Sequence, residues 1–196
     1  MIETLEQYDR QLFLFLNGIN NEFFDWVMSS ASDKLFWWPV YLLVFVLIQR
    51  RFGWKGFGWF ILGISLIVLI GDQLSSGVLK PLTARYRPCN NLEIMDLVHR
   101  VNNRCGGGYS FVSGHATNYF SISVFAAGLF SNRLSWTLFM LWAGLIAYSR
   151  IYLGVHYPAD VLGGIALGST IGYGFVCLNS YLLDRTQDRV GLKPRL

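Results

Sequence analysis

The chain has 196 residues, of which 53% are hydrophobic, 16% aromatic and only 14% charged, and its formal net charge is +4. Such a composition exceeds the apolar fraction of an ordinary soluble domain and falls short of its usual charge, so one membrane-embedded domain over residues 1–196 is expected. The modest positive charge argues against a nucleic-acid partner, because the basic residues divide into two groups with better explanations.

The N-terminus, Met1-Ile2-Glu3-Thr4-Leu5-Glu6, lacks the basic stretch and apolar run of a cleavable signal, so the chain is expected to be mature from Met1. Residues 5–16 mix acids with Leu12, Phe13, Leu14, Phe15 and Leu16, a pattern that suits an amphipathic helix lying in the membrane interface. A short first span is the competing reading, but Asn17, Gly18, Asn20 and Asn21 interrupt it. Residues 1–32 are therefore taken as an interfacial segment.

About five later stretches reach the roughly 20 apolar residues that a helix needs to cross hydrocarbon. They lie near residues 35–49, 57–79, 115–130, 134–151 and 159–183, the first beginning nearer Phe23 in an alternative reading. Ser65, Ser121 and Ser123 do not argue against them, since serine can bond within its own helix or to a neighbour. The expected fold class is all-α, a polytopic transmembrane helical bundle of about five spans with the N-terminal interfacial helix. No internal repeat or low-complexity segment divides it.

Arg50, Arg51 and Lys55 gather in one short turn, Arg133 in the next turn on the same side, and Arg185, Arg189, Lys193 and Arg195 in the tail. By the positive-inside rule that side is cytoplasmic, which puts Lys80, Arg87, Arg150 and the long connection 83–112 on the extracytoplasmic side. An integral inner-membrane protein with its site facing the periplasm or cell exterior is expected. Trp26, Trp37 and Trp38 fit the outer headgroup level and Trp54 the inner one, core packing being the alternative for each. Gly63, Gly128, Gly144, Gly164, Gly168 and Gly172 are expected at close helix contacts.

Cys89 and Cys105 bracket the long connection and are candidates for a disulfide, against two free thiols that never meet. Cys177, inside the last span, is expected to be a buried small hydrophobe. Gly106-Gly107-Gly108 is expected to make the return of the connection mobile.

Three polar blocks end long apolar stretches: Lys80-Pro81-Leu82-Thr83-Ala84-Arg85-Tyr86-Arg87-Pro88, Ser113-Gly114-His115, and Ser149-Arg150 followed by His156-Tyr157-Pro158-Ala159-Asp160. Ionisable groups at the edge of hydrocarbon are costly, so their accumulation marks a site. Arg87 and Arg150 can fork onto phosphate oxygens and Lys80 adds a point charge. Ser113 is a natural N-cap, and the free N–H groups after it favour an anion, although for Ser-Gly-His taken alone a plain helix cap is the better reading. Pro158 near the start of a helix puts Asp160 in its first turn, where the carboxylate can turn back to the His156 ring. That contact fixes a tautomer and leaves the other nitrogen's lone pair for phosphorus, with His115 available to protonate the leaving oxygen. A metal site is the chemical rival; the three histidines, His99, His115 and His156, form no helical His-Glu motif and stand among cations. Asp72 lies two helical turns before Lys80 on a similar face, and a supporting role behind the cradle is expected of it rather than direct contact with substrate.

The spacing Lys80-x6-Arg87-Pro88, Ser113-Gly114-His115, Ser149-Arg150-x5-His156-x3-Asp160 resembles the signature of the type 2 phosphatidic acid phosphatase superfamily, which includes vanadium haloperoxidases and bacterial acid phosphatases. The resemblance covers residues 71–164, and the span plan is similar to the family's bacterial membrane branch. It implies a lipid phosphatase working through a phosphohistidine, with His156 as nucleophile, Asp160 as its orienting partner, His115 as acid, and Lys80, Arg87, Ser113, Gly114 and Arg150 as the phosphate cradle. Val112 departs from the family pattern, which commonly has proline there, without removing a functional group.

The expected activity is metal-independent removal of a terminal phosphate from a lipid phosphate or diphosphate, undecaprenyl diphosphate first. Phosphatidylglycerophosphate, phosphatidic acid and a lipid A phosphate are the alternatives. A lipid phosphotransferase would use the same residues, and a noncatalytic lipid-binding protein would not need the His156, Asp160 and His115 set. No cofactor, no metal and no obligate protein partner is expected; the partners are the bilayer and a lipid phosphate substrate.

Overall fold

The apolar stretches become helices in the computed structural model, which describes residues 2–103 and 105–190 and, among these, the side chains other than those of residues 2, 103 and 183–190. Seven α-helices follow in chain order: α1 (Ile2–Gly18), α2 (Glu22–Ser32), α3 (Trp38–Asp72), α4 (Lys80–Thr83), α5 (Gly114–Phe130), α6 (Arg133–Tyr152) and α7 (Pro158–Val190). Among the described residues there is no strand.

Among the described residues three helical stretches are long and apolar enough to cross a membrane, Leu35–Thr83, Arg133–Tyr152 and Pro158–Leu182. The first has 49 residues, about 70 Å of helix against about 30 Å of hydrocarbon. It does not run straight: Gly53 takes φ 68° and ψ −175°, a conformation open to glycine, and breaks α3. Beyond the break the chain doubles back, because the Phe45 ring meets Phe57 and Phe60 at 5.9 and 6.3 Å. Two crossings therefore come from one stretch, and with α5, α6 and α7 the bundle has the five arms read from the sequence.

At 17 residues α5 is short for a span, and it is the bundle's centre, packed against α3, α6 and α7. Buried residues occupy every side of it, including Thr117, Tyr119, Phe120, Ser121, Ser123, Val124 and Phe125. Helices that meet no lipid need no amphipathic stripe. Its contact with α7 is backbone on backbone: a Cβ added to Gly164, Gly168 or Gly172 would strike the carbonyl oxygen of Ser113, Thr117 or Ser121. Between helices in lipid, association rests on close van der Waals packing, and a stripe of small residues supplies it. Gly63 against Phe125 and Gly128 against Val176 are likewise close contacts, but Gly144 has no heavy atom within 4 Å of where its Cβ would be. The expectation for Gly144 fails because its side of α6 faces away from the bundle.

The N-terminal segment is two helices. α1 buries Phe13 against Tyr157, ring centroids 5.4 Å apart, and leaves Leu5, Tyr8 and Phe15 exposed. Asn17, read from the sequence as an interruption, is still helical and buried. Its Nδ2 donates to the Tyr152 and Ile151 carbonyls at 2.7 and 3.3 Å, and its Oδ1 accepts from the His99 N–H at 2.8 Å. It thereby pairs the Tyr152 carbonyl at the end of α6 and adds a second donor to the Ile151 carbonyl, which also accepts Gly154 N–H at 3.0 Å. Asn21 then caps α2, accepting from Phe24 N–H at 2.9 Å.

The two charge groups lie at opposite ends of the bundle. Arg51 sits over the Phe130 ring at 5.8 Å, so the turn carrying Arg50, Arg51 and Lys55 lies beside the α5–α6 turn that precedes Arg133. The side chains of Arg185 and Arg189, and all of Lys193 and Arg195, lie outside the described residues. At the other end, Cys89 and Cys105 are joined in a disulfide with Cα atoms 5.9 Å apart. Cys177 is exposed rather than buried. An apolar side chain in a span loses nothing by facing lipid, so its hydrophobicity does not draw it inward.

Candidate active site

The three polar blocks converge at the disulfide end of the bundle. Lys80 arrives at the end of a π-wound segment, Gln73–Leu79, that continues α3; His115 opens α5, Arg150 closes α6, and His156 leads into α7. The first turns of α5 and α7 are tied directly, Ser113 N–H donating to the Asp160 carbonyl at 2.9 Å. Together they line a cavity of about 240 Å³ with Asp72, Lys80, Arg87, Gly114, His115, Arg150 and His156 on its walls.

Hydrogen bonds fix the tautomer of His156. Its Nε2 lies 3.0 Å from Nη1 of Arg87, and a guanidinium can only donate, so Nε2 carries the lone pair and Nδ1 the proton. Nδ1 faces the Ser110 hydroxyl at 3.3 Å and Asp160 Oδ2 at 3.6 Å. The Ser110 hydroxyl in turn donates to Asp160 Oδ2. Asp160, fully buried, also accepts Tyr157 N–H at 2.8 Å on Oδ2 and Arg85 Nη1 at 2.8 Å on Oδ1. Burial pushes the His156 imidazole down to about 4; the Asp160 carboxylate pulls the other way, while the cations of Arg87 and Arg150 reinforce the fall.

The carboxylate expected directly on the imidazole thus works chiefly through an intervening hydroxyl. Ser110 escaped the sequence reading because a serine three residues before Ser113 has no distinguishing pattern. Arg85, visible in the first block, had no assigned partner there.

Neighbouring side chains and carbonyls hold the cradle residues. Lys80 Nζ donates to Ser76 Oγ at 3.2 Å. Arg87 donates to the Val155 carbonyl at 2.9 Å and, from Nε, to the Gly107 carbonyl at 3.2 Å, its guanidinium lying against Gly106. The glycine run therefore gives a large planar cation room to lie on backbone. Arg150 donates from Nη1 to the Ser32 hydroxyl, and its buried Nε has no hydrogen-bond partner among the described residues. Lys34, absent from the sequence reading, adds a fourth cation to the lining.

Gly114 lies with its Cα face toward Ser75 Oγ and Lys80 Nζ, so the N-terminal end of α5 points into the cradle. Ser113 does not line the cavity: it is buried, and its hydroxyl caps α5 by accepting Ala116 N–H at 3.4 Å. His115 lines the cavity with its ring 6.3 Å from Tyr119. Asp72 lines it too and accepts from Asn118 Nδ2 at 2.8 Å. Among the described residues no group of three or more His, Cys, Asp or Glu could hold a metal. What the cavity offers is a neutral imidazole lone pair, a second imidazole and four cations, a set matched to a phosphate group.

The PAP2 superfamily pattern matches residues 58–184. The chain is 39% identical over 188 residues to a lipid A 4′-phosphatase of Bacteroides thetaiotaomicron, covering 95% of this chain and 84% of that protein. It is 30% identical over 154 residues to an undecaprenyl-diphosphatase of Sulfolobus acidocaldarius, covering 78% and 68%. Its fold is similar to the crystal structure of a transmembrane PAP2 type phosphatidylglycerolphosphate phosphatase from Bacillus subtilis, with a TM-score of 0.69 at 20% identity over 91% of this chain and 87% of that one.

Proposed function

This chain belongs to the PAP2 superfamily and is an integral membrane lipid phosphatase, and on that premise we propose that it removes the 4′-phosphate of a lipid A-type glycolipid at the periplasmic face of the inner membrane. The observation that carries the substrate is the near full-length similarity to a lipid A 4′-phosphatase. It moves lipid A phosphate ahead of undecaprenyl diphosphate, whose enzyme is matched at lower identity and over less of the chain. A second cavity, of about 810 Å³, supports a large polar head: it shares Lys34, Gly106 and Arg150 with the phosphate cavity, and Ser29, Ser30, Ser32 and Asn102 line it. The periplasmic side is supported by Arg50, Arg51, Lys55 and Arg133 at the opposite end of the bundle and by the disulfide at this one.

In the proposed reaction the phosphate oxygens take up Lys80, Arg87, Arg150 and the N-terminal end of α5. Arg87 Nη1 moves from His156 Nε2 to a phosphate oxygen, which frees the lone pair. Nε2 attacks phosphorus as the bond to the sugar oxygen breaks, and His115 delivers the proton that oxygen needs. The Nδ1 proton stays on the imidazole, turned to Ser110 and Asp160, which stabilise the positive ring. Water then attacks the phosphohistidine with His115 as base, releasing inorganic phosphate and free His156. Charge stabilisation falls to cations fixed in place around the phosphate.

The test is phosphate release by the purified protein in detergent from lipid A bisphosphate, undecaprenyl diphosphate, phosphatidylglycerophosphate and phosphatidic acid, with mass spectrometry locating the phosphate lost. The expected result is the highest kcat/KM on lipid A with loss at the 4′ position and no turnover by His156→Ala. A higher kcat/KM on undecaprenyl diphosphate overturns the substrate, and near-normal release by His156→Ala overturns the phosphohistidine.

A further inference from the structure

We infer that Asp9 and Arg85 are positioning residues for phosphoryl transfer: reaching in from α1, Asp9 clamps Arg85, which holds the Asp160 carboxylate that steadies His156. The inference rests on the reading of His156 as nucleophile. It brings into the reaction a helix that lies outside the family-matched segment, 58–184.

The contacts form one chain. Arg85 divides its guanidinium between two carboxylates, Nη1 on Asp160 Oδ1 at 2.8 Å and Nη2 on Asp9 Oδ2 at 2.6 Å. The guanidinium lies over the Tyr157 ring at 4.1 Å. Asp9's second oxygen accepts the Ala159 N–H at 2.9 Å, so the same carboxylate grips both Arg85 and the turn that carries Asp160. Arg85 also anchors the bridging hydroxyl, because its carbonyl accepts Ser110 N–H at 2.8 Å. Neither Asp9 nor Arg85 lines the phosphate cavity, so they act through Asp160 and Ser110.

A fully buried carboxylate must be paired and hydrogen-bonded to remain charged. Of Asp160's hydrogen-bond partners among the described residues only Arg85 is a cation, and burial works to lower the pKa of Arg85 while the carboxylates of Asp160 and Asp9 raise it on balance. Asp9 thus holds the other side of the Arg85 fork and prevents it from turning.

A purely structural role for α1 would also predict some loss on mutation, and the helix contains its own control. Arg10, next to Asp9, pairs with Glu6 at 3.1 Å and with Glu93, ties α1 to the outer connection, and does not reach Asp160. The experiment compares Asp9→Asn, Asp9→Glu, Arg85→Lys, Arg85→Met and Arg10→Met on lipid A bisphosphate, with thermal unfolding of each in detergent. Asp9→Asn is expected to lower kcat about 10- to 100-fold, the usual loss when a group orienting a reactive residue is removed, with KM nearly unchanged. Asp9→Glu restores part of that loss, and Arg10→Met keeps kcat although it removes two ion pairs.

His156 faces Arg87, Arg150 and Asp160, and His115 and Ser110 are close to it. Arg85→Met strips the cation from Asp160, so the imidazole binds its proton more tightly and the acid limb of kcat/KM moves to higher pH. An unchanged kcat in Asp9→Asn overturns the inference. So does an equal loss in Asp9→Asn and Arg10→Met that follows their loss of thermal stability. If Asp9→Asn does not fold, Arg85→Lys decides: wild-type kcat in that variant is equally fatal. Failure of the nucleophile reading looks different, as activity surviving in His156→Ala.

Discussion

Gly168→Ala tests whether the α5–α7 seam sets the geometry of the site. An added Cβ would lie 3.0 Å from the Thr117 Cα and carbonyl carbon and nearer still to its oxygen, all of them backbone atoms of α5. No side-chain rotation relieves that clash, so α7 must move outward. Overpacking of this kind costs about 1–3 kcal/mol, against a gain of about 1 kcal/mol for replacing a helical glycine by alanine, which leaves a net loss of up to about 2 kcal/mol. The catalytic effect is larger in proportion, because His156 and Asp160 enter α7 while Gly114 and His115 open α5. A displacement of 1 Å can cost about 100-fold in rate, so a shift of about half that gives about a tenfold fall in kcat. Gly144→Ala, with no heavy atom within 4 Å, should gain up to about 1 kcal/mol and keep its rate. The assay is thermal unfolding in detergent alongside phosphate release for the two variants. Wild-type stability and kcat in Gly168→Ala would refute the argument that this seam holds the two halves of the site together.

Three further outcomes are expected. Because His156 titrates near 4 in the folded protein against an ordinary 6.5, its contribution to stability is complete above pH about 6.5 and is lost as pH falls through about 4; an acid limb of kcat/KM at the ordinary histidine value would contradict this burial. Since the charge on phosphate is met by Lys80, Arg87 and Arg150, activity should survive excess chelator and be inhibited by vanadate, which imitates pentacoordinate phosphorus; abolition by chelator with rescue by one divalent ion would sink that assignment. The Cys89–Cys105 bridge closes a loop with a sequence separation of 16, so Cys89→Ser should cost about 3 kcal/mol, and after reduction an impermeant thiol reagent should label both cysteines in intact cells whose outer membrane has been permeabilised; labelling that requires breaking the inner membrane would reverse the orientation.

Much of this protein is readable in its sequence because the forces involved are local or chemical. Hydrocarbon demands a run of apolar residues wherever a helix crosses, so the five arms and the basic turn at Arg50, Arg51 and Lys55 stand out without knowledge of their neighbours. Phosphate demands cations and an unprotonated nucleophile, and Lys80, Arg87, Arg150, His115 and His156 are rare enough at the edge of spans to be noticed there. Tertiary structure alone decided how those groups are held. Asp9, Arg85 and Asp160 are separated by 76 and 75 positions along the chain, and Asn17 reaches carbonyls more than 130 residues away. Such partnerships depend on where α1 docks on α6 and α7, which no local pattern encodes. For the same reason Ser110 became the bridge between His156 and Asp160, and Cys177 and Gly144 turned outward. In lipid, burial no longer sorts apolar residues from the surface, so shape and hydrogen bonding between helices set the facing of each residue, and these exist only once the bundle has assembled.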